Sequence, residues 1–159
     1  MPGGSRLKVA FGADDDNECV RAVRGFLAEA TELVSAAEDE LWPAMASGVA
    51  KRVASGEVDV GVVMCWTGTG TAIAANKVTG VRAALAWEPW IARGARLWND
   101  ANVLALSLKR LAPDVAVEVV AAFLDTTEAD PTEAANLALL SAMEQGAVEQ
   151  RQARPGRTT

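Results

Sequence analysis

Apolar residues along this chain fall into two patterns. Short continuous runs alternate with longer stretches in which apolar positions recur every three or four residues. The runs at residues 7–11, 31–35, 58–65, 83–86 and 103–106 read as strands. The run at 58–65, VDVGVVMC, is almost uninterrupted, as expected of a strand covered on both faces. Gly12 is expected to end the first run, and Asn17 to cap the helix that carries Val20, Val23, Phe26, Leu27 and Ala30. Further helices are predicted over residues 42–54, with Gly56 just past the end, over 71–77, from Pro89 and from Pro113. A last one is predicted over 131–148, its apolar positions being Ala134, Leu137, Leu139, Leu140 and Met143. Five strands with intervening helices imply right-handed crossovers. The expected fold is therefore α/β: one domain over residues 1–148, a three-layer, doubly wound, five-stranded parallel sheet with an additional C-terminal helix. Residues 149–159 are expected to form a mobile tail.

Ligands of such sheets bind beyond the carboxyl ends of the strands. Attention falls on the loops after Phe11, Cys65, Ala86 and Leu106. Composition narrows what those loops can do. The 159 residues include no histidine and no tyrosine, which excludes imidazole bases, Ser-His-Asp triads and His-ligated metals. A net charge of −6 disfavours nucleic acid as a partner. Cys19 and Cys65 are too far apart for a paired redox or metal motif. No secretory leader or membrane-length apolar run is evident, so a cytoplasmic protein is expected, without a membrane partner.

The first loop, Gly12 to Asn17, holds Asp14, Asp15 and Asp16 in succession. Such carboxylates can hold a cation or substrate hydroxyls; they also make ordinary solvated helix caps. The second loop reads Cys65-Trp66-Thr67-Gly68-Thr69-Gly70-Thr71. Its glycines allow close approach of backbone to a ligand, and amides at a helix start favour an anion or a developing oxyanion. A thiol there can act as base or nucleophile, or be an inert buried cysteine at the end of an apolar strand. Lys77 stands too far from the glycines for a nucleotide-binding P-loop.

Three segments in order, Thr67-Gly68-Thr69-Gly70 with Ile73-Ala74-Ala75-Asn76-Lys77, then residues 80–85 (GVRAAL), then residues 99–104 (NDANVL), resemble the ribose-5-phosphate isomerase B family, which includes the galactose-6-phosphate isomerase subunits. The resemblance runs from about Leu7 to Leu124. It implies an intramolecular oxidoreductase that interconverts aldose and ketose phosphates through a cis-enediolate, without metal or other cofactor. It also implies a homodimer or homotetramer whose site is built across two subunits. By position, Cys65 would move the C2 proton and Thr67 would assist near the ring oxygen. Asn99 and the amides of Gly68, Thr69 and Gly70 would hold the enediolate oxygens. Asp14 would contact substrate hydroxyls.

The departures from that family are concentrated at the site. Asp15, Trp87 and Trp98 stand where it has histidines, Trp42 where it has a tyrosine, Trp66 where it has a glycine, and Lys109 where it has an arginine. The family's C-terminal arginines have no counterpart; residues 126–145 are acidic and alanine-rich, and only Arg151, Arg154 and Arg157 follow. The expectation is a diverged isomerase of altered substrate, a sugar phosphate or a more apolar analogue. Its alternative is a catalytically silent ligand-binding or partner subunit. The five tryptophans, at 42, 66, 87, 90 and 98, are expected to wall one pocket beside Cys65 and Asn99.

Overall fold

A computed structural model describes residues 4–37 and 40–154. The strands are β1 (Lys8–Ala13), β2 (Glu32–Ser35), β3 (Val60–Cys65), β4 (Ala83–Leu85) and β5 (Val103–Ser107). All pairings are parallel and the order across the sheet is β2-β1-β3-β5-β4. Six helices complete the described chain: α1 (Glu18–Ala30), α2 (Trp42–Ala54), α3 (Thr69–Asn76), α4 (Pro89–Asn99), α5 (Pro113–Asp125) and α6 (Ala134–Ala153), with a 3-10 turn at Pro131–Glu133. The expected fold class is thus the one observed.

The central strand shows why. All six residues of β3 are buried, and alternate side chains enter opposite cores. Val62 and Met64 join Phe11, Leu27, Leu104 and Phe123 beneath α1, α4 and α5. Val63 joins Ala10, Met45, Val49 and Ala105 beneath α2 and α3. Each large apolar side chain so buried contributes about 1.5–3 kcal/mol. Gly61 lets α2 settle onto the sheet: a Cβ there would stand 2.7 Å from Val49 Cγ1.

Several local expectations shift. Gly12 does not end β1, because Gly12 and Ala13 still pair with Val63 and Met64. Thr31 closes α1 rather than opening β2, donating both its N–H and its hydroxyl to Leu27 O. Asn17 caps α1 by accepting the Val20 N–H at 2.9 Å, and its amide donates to Leu108 O, tying that helix to the end of β5. The last helix continues to Ala153, past the end expected at Val148, so residues 149–153 are helical; 155–159 lie outside the described residues.

No residue of α6 is fully buried, though Leu137, Glu144 and Val148 are half-buried. Leu139, Leu140 and Met143 are 59%, 40% and 67% exposed. It is tethered to the body by polar contacts: Glu144 accepts the Gly80 N–H, and Ser141 Oγ accepts from Arg82 at 3.0 Å. The link before it is pinned by Arg96, which donates to the carbonyls of Thr126 and Ala101 and lies over the Phe123 ring. Among the described residues no helix is long and apolar enough to cross a membrane.

Candidate active site

The strand order reverses between β1 and β3, the place beside which ligands of such sheets bind at the carboxyl ends. Cys65, the last residue of β3, is 5% exposed. Its Sγ accepts the Gly68 N–H at 3.1 Å and lies 3.4 Å from the Thr71 hydroxyl. Burial pushes the thiol up, but hydrogen bonds from the Thr71 hydroxyl and from the loop amides outweigh it, so its pKa lies below the ordinary thiol value. The other cysteine, Cys19, is pushed up by burial. The difference comes from the loop, since both sulfurs are buried.

Gly68 makes that loop possible. It has φ +76, in the left-handed region, and a Cβ would stand 2.5 Å from Leu85 Cδ1 and 2.9 Å from the Leu106 backbone. The turn is cross-braced: the Thr71 hydroxyl shares its one proton between the Cys65 sulfur and Gly68 O, 3.2 Å away, Thr69 N–H donates to Thr67 Oγ1, and the Thr67 and Thr69 hydroxyls lie 2.7 Å apart. Ser107 donates to Trp66 O at 2.6 Å, fixing the loop to β5. The amides of Gly68 and Thr69, expected to face an enediolate, are thus already engaged by Cys65 and Thr67.

The acidic loop is joined to the thiol loop through Trp66. Asp15 accepts the Asp16 N–H at 2.8 Å and the Trp66 indole N–H at 3.1 Å. Its pKa is lowered first by the Asp16 amide, then by Trp66, with Lys109 adding a smaller electrostatic pull. Asp14 is raised, mainly by burial and next by the charge of Asp15. Asp16 pairs with Arg21 at 3.6 Å. Lys109 Nζ sits 4.2 Å from the Trp66 ring centre. Trp66, Thr67, Leu85, Ala86, Trp87, Ser107, Lys109 and Arg110 line a cavity of about 520 Å³ at these strand ends.

Asn99 does not line that cavity. It ends α4, and α4 returns the chain to the opposite end of the sheet. There it lines a second cavity, of about 550 Å³, together with Asn76, Arg82, Leu140 and Met143. Arg82 donates to Asn99 O and pairs with Asp100 at 3.7 Å, so it does not share the Lys109 cavity either.

The tryptophans do not gather in one place within the chain. Trp66 and Trp87 line the first cavity, and Trp42 packs against Gly70. Trp90 and Trp98 form an edge-to-face pair at 5.4 Å on α4, with the Trp98 ring covering Gly94. The expectation of at least three indoles in one cavity beside Cys65 and Asn99 is therefore not met by a single chain. Trp98 also stands near the end of a helix rather than at its start.

Residues 9–139 match the model of a family described as ribose/galactose isomerase. The chain belongs to that family. Ribose-5-phosphate isomerase B of Escherichia coli is 37% identical over 123 residues, which is 74% of this chain and 83% of that protein. D-erythrulose-4-phosphate isomerase 2 of Mycolicibacterium smegmatis is 34% identical over 80% of this chain and 90% of its own. A putative sugar phosphate isomerase of Bacillus subtilis is 44% identical, but the match spans 57% of its length. Among solved structures, ribose-5-phosphate isomerase B of Clostridium thermocellum superposes with a TM-score of 0.80 at 31% identity, over 89% of this chain and 99% of that one.

Within this ribose/galactose isomerase chain, two site features escape sequence reasoning. Thr71, fully buried, supplies the hydroxyl at Cys65, and Ser107 locks the carbonyl of Trp66. Thr71 was open to detection as a hydroxyl one turn beyond Gly68, where the helix faces back onto the strand end. Other motif residues prove structural. Asn76 brackets Ala83 with bonds to its N–H and carbonyl, and Asn102 bridges Arg82 N–H and Gly80 O.

Proposed function

We propose that this chain is an aldose–ketose isomerase in which Cys65 moves the proton between C1 and C2 of an open-chain sugar. The observation that carries this is the Cys65 sulfur, held by the Gly68 N–H and the Thr71 hydroxyl with a lowered pKa. A thiolate formed nearer neutral pH is a competent base for a carbon acid α to a carbonyl. Thr67, braced by Thr69, stands at the mouth to relay a proton to the sugar oxygens. Asp14, its pKa raised by burial and next by the charge of Asp15, is the carboxyl offered to substrate hydroxyls. Trp66 and Trp87 offer flat apolar walls, and Lys109 with Arg110 a cationic end.

The position of Asn99 supports a site completed by a second copy of the chain. Asn99 lies at the far end of β4 from Cys65, next to a cavity under α6 whose exposed Leu140 and Met143 favour burial in an assembly. In that arrangement one protomer supplies the thiol and the other the amide that holds the enediolate oxygen. The test is a paired assay. Wild-type chain, Cys65→Ala, Asn99→Ala and a co-refolded mixture of the two variants are assayed for isomerisation of aldose phosphates. Each variant alone should be impaired, and the mixture should recover part of the activity.

A silent partner subunit is the second reading. It is favoured by indoles standing at the family's histidine positions, since Trp98 covers Gly94 and offers no acid for opening the ring. Wild-type inactivity on every sugar, with binding retained, would select it.

A further inference from the structure

The Arg82 guanidinium reaches both the end of α4 and the outer helix α6. It donates to the Asn99 carbonyl at 3.2 Å, pairs with Asp100 at 3.7 Å and donates to Ser141 Oγ at 3.0 Å. Its own backbone is held in place. Asn102 Oδ1 accepts the Arg82 N–H at 2.8 Å, and the Arg82 carbonyl accepts the N–H groups of Asn102 and Val103 at the start of β5. A planar guanidinium can serve several acceptors at fixed angles, which a single ammonium cannot.

The turn at the end of α4 needs such a hold. Asp100 has φ +49, alone in the left-handed region among the non-glycine residues described. Aspartate visits that region more readily than most residues, but it stays there only where its surroundings fix it. Asn99 immediately precedes that turn, so the course of the backbone there sets where its side chain goes. Arg82 takes the Asn99 carbonyl, and Asn99 lines the cavity of about 550 Å³ under α6.

On α6, Ser141 and Glu144 are three residues apart and share a face. Ser141 accepts from Arg82 while its own proton goes to Leu137 O, and Glu144 accepts the Gly80 N–H. Residues 80–82 therefore seat the helix at two points. The helix that carries the exposed Leu140 and Met143 thus rests on the same guanidinium that holds the Asn99 turn.

We propose that Arg82 is a positioning residue that couples the seating of α6 to the placement of Asn99, so that assembly and the amide lent to the partner copy are set together. The inference rests on the shared-site isomerase reading and deepens it by naming what holds the shared residue.

The experiment has two arms, both on the full chain, with circular dichroism to establish that each variant folds. In the first, light scattering over a dilution series follows assembly of wild type, Arg82→Gln, Ser141→Ala and the double variant. Ser141→Ala should weaken assembly by about two- to tenfold, the worth of one hydrogen bond, and by nothing further in the Arg82→Gln background. Fully additive effects overturn the proposal, as does a monomeric wild type. In the second arm, deuterium exchange from solvent into ribose 5-phosphate and erythrulose 4-phosphate is followed. Arg82→Gln should lower kcat about ten- to hundredfold with KM little changed, as expected when a group acting in the transition state is misplaced. Co-refolding Arg82→Gln with Cys65→Ala should recover activity, because one mixed site then joins an intact thiol to a well-placed Asn99. Co-refolding it with Asn99→Ala should recover none. A residue that merely keeps its own protomer folded would not sort with Asn99 in this way. Recovery with Asn99→Ala, or a loss confined to KM, overturns the proposal. A wild type that exchanges neither sugar sinks the isomerase reading alone, and the dilution series then decides whether Arg82 joins α6 to the rest of the assembly.

Discussion

The two ends of the sheet near β4 differ in what they hold and in how firmly. At the carboxyl end, beside Leu85 and Trp87, lie the thiol loop, two indoles and two cations in a braced arrangement. At the amino end, beside Ala83, lie Asn99 and Arg82 under a helix with no fully buried residue. The first end is pinned by hydrogen bonds through Ser107, Thr71 and Asp15; the second leaves Leu140 and Met143 open. Preorganised donors around a reacting atom mark chemistry, and uncovered apolar surface marks assembly. On the function proposed above, the first end carries the reaction and the second meets the partner copy.

The sharpest way to break this division is to remove the thiol. Cys65→Ala should lower turnover of an accepted sugar by about 10²–10⁴, the usual worth of a general base, with little change in binding. Steady-state kinetics on the variant reads it directly; a loss confined to KM would place Cys65 outside the chemistry. Next in size is Gly68→Ala. With φ +76 and Leu85 and the Leu106 backbone in the way, it should destabilise the fold by about 2–4 kcal/mol, read as a lower midpoint in urea.

Thr71→Val sharpens the account of the thiol. A depressed acid ionises at lower pH, so the rising limb of kcat/KM should lie below the ordinary thiol value, near pH 8.5. Removing the Thr71 hydroxyl should move that limb to higher pH and lower activity near neutrality. A limb that stays in place would detach it from Cys65. The other end is tested by assembly: Leu140→Glu with Met143→Glu should convert an assembled wild type to monomer by light scattering and lower turnover with it, since each site then lacks its partner's Asn99, while the monomer's secondary structure stays intact. A wild type that is already monomeric at micromolar concentration would remove the basis for a shared site.

Much of the fold was legible because its signals are local. A continuous apolar run such as that ending at Cys65 has few alternatives to a doubly covered strand, and Asn17 and Pro113 mark helix starts by their own chemistry. The loop after Cys65 was legible for the same reason, since Gly68 must supply a left-handed turn. What was not legible depends on where elements return to. Asn99 stands close to Trp87 in sequence, yet α4 carries it to the far end of the sheet. Helical spacing likewise pairs Trp90 with Trp98 on α4 rather than beside Trp66. The Trp66–Asp15 bond joins residues 51 positions apart, and no spacing rule reports it.

The most direct measurement is isomerisation in D₂O, followed by proton NMR, for wild type and Cys65→Ser on a panel of ribose 5-phosphate, erythrulose 4-phosphate and unphosphorylated ribose. The account predicts deuterium appearing at the carbon next to the carbonyl in at least one wild-type reaction and its disappearance in Cys65→Ser. It also predicts weak or no turnover of ribose 5-phosphate, because no acid stands at Trp98 to open the ring. Exchange that proceeds undiminished in Cys65→Ser would contradict the central claim.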